Sequence, residues 1–141
     1  MNRLEFEMLR DIGGKRIEAD IALRCPSQMK LFLIAEDIPI FNPDGLDLRL
    51  NIRVNPTRGS KTFNVVLRGT GPICRLDVDG PPHRPAGGTH KHSLQRERCP
   101  AKNLPRDVQD LPGLSGLGIR DLFDEFCSMA SIEFSGSFEE Q

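Results

Sequence analysis

The sequence predicts an α+β domain: a mainly antiparallel sheet of five to six strands, with an N-terminal and a C-terminal helix packed on one of its faces. Three observations point there. Apolar residues alternate with polar ones in short runs through the middle of the chain, Pro/Gly turns separate those runs, and helical spacing appears only at the two ends. A length of 141 residues suits a single domain over 1–141, with an acidic tail from about 133.

The first element is a helix from Asn2 to Ile12. Leu4, Met8 and Ile12 fall at i, i+4 and i+8, Asn2 can cap the start, and Gly13-Gly14 stops the run. Met29 to Glu36 reads as a buried strand, and Asn42-Pro43-Asp44-Gly45 then turns the chain through a preset proline φ and a glycine open to positive φ. Leu46, Leu48, Leu50, Ile52 and Val54 alternate with Asp47, Arg49, Asn51 and Arg53, the pattern of a strand with one wet face. Lys61 to Arg68 and Ile73 to Asp79 repeat it after tight turns, which predicts an antiparallel meander. A stiff loop over 80–88, rich in proline and glycine, leads to a last strand from Thr89 to about Gln95. Beyond Cys99-Pro100 the chain reads as loop until Gly116. Ile119, Leu122, Phe123 and Phe126 then mark a helix of about three turns whose stripe should cover the sheet.

Composition narrows the function classes. The longest apolar run, Leu31 to Ala35, is far too short to cross a bilayer, and Met1 to Glu5 lacks the apolar stretch of a signal peptide, so a cytoplasmic protein without a membrane partner is expected. Four scattered cysteines without a Cys-x-x-Cys pair fit reduced thiols. Cys74 and Cys127 fall on apolar faces and read as core. Cys99 follows Arg96 and Arg98 in a loop without the sequence frame of a nucleophile. The net charge of −1 conceals a partition. Residues 81–106 hold six basic side chains, one acid and all three histidines, whereas 107–141 hold eight acids and only Arg120. A basic, histidine-rich block of this kind can bind a polyanion by releasing counterions from its phosphates.

Candidate chemistry concentrates on the two strands flanking the 80–88 loop. Antiparallel pairing about the middle of that loop would set Asp77 near His92 and Asp79 near His90, with His83 overlooking them. A His–Asp hydrogen bond is expected there. His83, His90, His92 and Asp77 are the candidate catalytic residues, because imidazole exchanges protons near neutral pH and a carboxylate sets its tautomer. Arg75, Lys91, Arg96 and Arg98 are the candidate phosphate-binding residues. A metal-free centre is the preferred reading and no cofactor is expected. The alternatives are a small metal-binding protein, with His90 and His92 joined by His83, Asp77, Asp79 or Glu97, and a non-catalytic protein-interaction module.

Arg75-Leu76-Asp77-Val78-Asp79-Gly80-Pro81-Pro82-His83, followed by His90-Lys91-His92, resembles a family of small prokaryotic proteins that form a domain of unknown function. Its pattern is Leu-Arg-Leu-Asp, Gly-Pro, His, a short glycine-containing loop, then His-x-His and an acid. The likeness covers about residues 60–97 and departs from the pattern at Pro85-Ala86-Gly87-Gly88, where relatives carry an Asn-Pro-Asp-Gly turn. The resemblance implies a prokaryotic accessory protein of the kind found near mobile elements and toxin–antitoxin-like gene pairs. Together these readings lead to the expectation of a protein that binds or cleaves RNA, with RNA and a cognate antitoxin-like protein as partners.

Overall fold

Residues that alternate about a period of two build the centre of the molecule, and the computed structural model describes residues 3–26, 31–80, 88, 90–92 and 108–139. Helix α1 spans Arg3–Asp11 and is followed by the short strands β1 (Lys15–Ile17) and β2 (Ile21–Ala22). The meander comprises β3 (Leu33–Ile40), β4 (Leu48–Val54), β5 (Lys61–Leu67) and β6 (Gly71–Val78), and it is extended by β7 (His90–His92) and β8 (Val108–Asp110). A 3-10 turn at Pro112–Leu114, helix α2 (Ile119–Ala130), β9 (Ile132–Phe134) and β10 (Phe138–Glu139) complete the chain. The six strands β3 to β8 form one sheet in sequence order, and every pair in it is antiparallel. The α+β class and the antiparallel sheet are therefore as the sequence predicts.

Alternation decides what is inside. Leu48, Leu50, Ile52 and Val54 of β4 face Phe63 and Val65 of β5 and Cys74, Leu76 and Val78 of β6 across one buried surface. Helix α2 closes this surface with Leu122, Phe123, Phe126, Cys127 and Ala130, and Phe126 stacks on Phe63 with ring centroids 5.4 Å apart. Phe6 of α1 joins the same core, so both helices cover one face. No helix among the described residues is long and apolar enough to cross a membrane.

Several elements differ from the expected ones. The buried face of α1 centres on Phe6, with Leu9 packed partly against the core, while Leu4 and Met8 of the expected stripe are 66% and 58% exposed. Strand β3 begins at Leu33 and runs to Ile40, later than the expected Met29–Glu36, of which 29 and 30 lie outside the described residues. A bulge between Ala35 and Ile38 lets it continue, with Asp37 at φ 55° and its N–H bonded to Asn51 Oδ1. Strand β8 and the 3-10 turn occupy a stretch expected to be loop.

The acid-bearing segment from 133 is not a free tail over its described length. β9 pairs in parallel with β1, and β10 pairs in parallel with β2. Ser137 N–H also donates to Asp20 Oδ1 at 2.9 Å, a bond that holds the Asp20 carboxyl below its ordinary pKa.

Candidate functional site

The sheet face opposite the helices carries the polar half of every alternating strand. Strand register aligns these residues in two rows. The first runs Ile34, Arg53, Thr62, Asp77, His90 and Asp110 from β3 to β8. The second runs Asn51, Asn64, Arg75, His92 and Val108 from β4 to β8. Directly opposed residues on neighbouring strands share a face and stand close enough to interact.

Asp77 is the centre of the first row. It is only 7% exposed, although its face is otherwise half-wet, and its Oδ1 accepts from Thr62 Oγ1 at 2.9 Å and from Arg75 Nε at 3.2 Å. A buried carboxylate requires such partners, because leaving it unpaired would cost several kcal/mol (~1–3 per neutral group and more for a charge). Arg75 keeps nearly half of its side chain exposed beside Asp77, so its remaining guanidinium donors can meet an anion. Asn64 lies between Asn51 and Arg75, and its Oδ1 is buried without a hydrogen-bond partner among the described residues.

The register corrects the expected pairing. His90 lies opposite Asp77 and His92 opposite Arg75, two residues from the expected Asp77–His92 and Asp79–His90 neighbours. The cause is the end of β6. Asp79 turns into the left-handed region at φ 54°, and Gly80 N–H donates to Gly88 O at 2.9 Å, which closes the loop one step earlier. A two-residue shift preserves the face, whereas a one-residue shift would have reversed it. His90, His92, Asp77 and Arg75 therefore belong to one side of the sheet. The Asp79 carboxylate accepts from Ser115 Oγ and from Gly116 N–H, tying β6 to the segment before α2.

Lys91 pairs with Leu76 in the same register. His83, Arg96 and Arg98, with Glu97 and Cys99, lie outside the described residues. Cys74 and Cys127 are buried, as their faces suggested, and burial beside Asp124 pushes the Cys127 thiol up to about 12.

Two site residues escape the sequence reading. Thr62 was legible only as one polar position of β5, since its bond to Asp77 depends on strand pairing. Asp110 becomes a neighbour of His90 through β8, and the alternation of Val108-Gln109-Asp110 was its only signal. Among the described residues no group of three or more His, Cys, Asp or Glu side chains gathers as a metal site. Comparison of the chain with protein families, curated proteins and solved structures finds no match in any of the three.

Proposed function

We propose that the chain binds RNA on this polar sheet face and cleaves it by metal-free acid–base chemistry, as the effector of a prokaryotic toxin–antitoxin-like pair. The observation that supports the reading best is the register that sets His90 opposite Asp77 and His92 opposite Arg75. In this reading the Asp77 carboxylate orients His90, which removes the proton of a ribose 2′-OH. The freed oxygen attacks the adjacent phosphorus, His92 protonates the departing 5′ oxygen, and Arg75 neutralises charge on the phosphate. The products are a 2′,3′-cyclic phosphate and a 5′-OH end.

The test combines expression with cleavage. Inducing the chain should arrest growth, and His90→Ala or His92→Ala should relieve the arrest. The purified protein should release cyclic-phosphate ends from mixed RNA in the presence of chelator, with a histidine-like pH profile. Asp77→Asn should slow cleavage by about 100-fold or more. Absence of RNA binding at about 50 mM salt, where phosphate contacts are strongest, would overturn the reading.

The second reading is a small metal-binding protein that uses the His90-x-His92 strand. About one zinc or iron per purified chain, with a melting temperature lowered by chelation, would favour it. Normal growth on expression, with neither RNA binding nor metal, would leave a protein-interaction module.

A further inference from the structure

The polar face does not end at its histidines. Two strands from Asp77 in the first row, Arg53 of β4 lies with its guanidinium carbon 5.2 Å from the centroid of the Phe32 ring. Phe32 precedes Leu33, which pairs with core-facing Val54. It therefore shares the alternation of Ile34, the direct partner of Arg53. Phe63, Phe123 and Phe126 are fully buried among the helices, whereas Phe32 is half-buried on the wet side and Arg53 is exposed.

A planar guanidinium laid over an aromatic ring offers a flat, cationic, weakly hydrated surface. This is the chemistry on which an unpaired nucleobase stacks. Most other arginines near this end of the sheet are already engaged. Arg49 bonds Asp47 and the Asp37 carbonyl, and Arg68 lies between Asp37 and Asp47. Arg24, which bridges to Ile34 at the end of the same row, pairs with Glu139 through exposed side chains. Arg53 is thus set apart by its stacking on Phe32.

Resting on the RNA-binding reading above, we propose that Phe32 and Arg53 form a stacking platform for one base of a single-stranded RNA, which then crosses the strands along the first row toward His90. Three strand spacings of about 4.8 Å separate β4 from β7, so the stacked base and the phosphate at Arg75 and His92 lie about 10–14 Å apart. The platform takes a base with both faces free. A duplex, whose bases are already stacked, gains nothing from it.

Fluorescence anisotropy with three probes tests the platform: a labelled oligouridylate, the same oligouridylate annealed to oligoadenylate, and inorganic polyphosphate as competitor. Phe32→Leu keeps apolar bulk without a ring, and Arg53→Lys keeps the charge without the plane. Each should weaken oligouridylate binding about ten-fold or more while leaving competition by polyphosphate unchanged. The unsubstituted protein should prefer the single strand to the duplex. If the protein binds oligouridylate and both variants bind it equally well, the platform is overturned and RNA binding stands. If the variants lose oligouridylate and polyphosphate in parallel, Arg53 acts as a charge only and the platform is again overturned. If oligouridylate does not bind the unsubstituted protein at about 50 mM salt, the RNA reading fails with it. Thermal melts of both variants identify any loss of folding, and Arg53→Lys, at an exposed position, carries the test should Phe32→Leu be unstable.

Discussion

Lys15 is 1% exposed, and its ammonium donates to the carbonyls of Leu9 at 2.9 Å and of Arg10, the acceptors that α1 leaves open at its C-terminal end. Burial lowers its pKa to about 8, with neighbouring Arg10 acting in the same direction. The unfolded chain, where lysine titrates near its ordinary value, binds more protons than the fold between pH 8 and that value. Stability from this group therefore rises with pH across that interval. Cys127 acts in the opposite sense: its folded thiol stays protonated to about 12, so stability is lost as pH climbs above the ordinary thiol range. Urea denaturation at pH 8 and pH 9 should show a gain of about 1 kcal/mol that Lys15→Met abolishes, and a fall at higher pH that Cys127→Ala abolishes. A slope that persists in Lys15→Met would assign the titration elsewhere. Ser131, the residue that ends α2, sits at φ 56° and ψ 48°, a left-handed conformation that a glycine adopts without strain. Ser131→Gly should raise stability by about 0.5–1 kcal/mol, read as a higher urea midpoint.

Helix α1 shows how an element chooses its face. Leu4, Met8 and Ile12 form a longer stripe than Phe6 and Leu9, yet the shorter pair faces the core. Gly14, at φ 76°, turns the chain beneath the helix so closely to Pro43 that an added Cβ would stand 2.8 Å from its Cγ. The outward stripe instead borders a cleft of about 420 Å³, lined by Glu5, Met8, Leu9, Ile12, Asp44, Leu67 and Thr70. Phe6→Ala should cost about 3–5 kcal/mol in urea denaturation, because it leaves a ring-sized void in a closed core. Met8→Glu should change stability by no more than about 0.5 kcal/mol, since the side chain already meets water. Equal costs at the two positions would mean that the stripe is covered in solution.

Across the whole molecule, polar residues sit on one broad sheet face while both helices occupy the other, so an extended polyanion can meet several cations without crossing a helix. With Arg75, and any further cation of this face, meeting phosphates of a single strand, the logarithm of affinity should fall against the logarithm of salt with a slope of about −0.7 per phosphate contact. A slope near zero in titrations of oligouridylate would mean that the phosphates are not engaged. The meander and the C-terminal helix were legible in the sequence because each repeats its pattern for several periods. Leu48 to Val54 keeps one face apolar for a full strand, and Ile119 to Phe126 does so for two turns. Strands β1, β2, β8, β9 and β10 were not legible, because two or three residues hold no measurable period and form only where a partner strand supplies the hydrogen bonds. The same division runs through the candidate site. Alternation alone put Arg75 and Asp77 on one face and His90 and His92 on one face, but the sequence contains nothing that measures how far one strand slides along another. The left-handed turn at Asp79 and the Gly80–Gly88 bond set that offset, giving His90 to Asp77 and His92 to Arg75, and the pairing of β8 brought in Asp110 from a stretch that carries no pattern of its own.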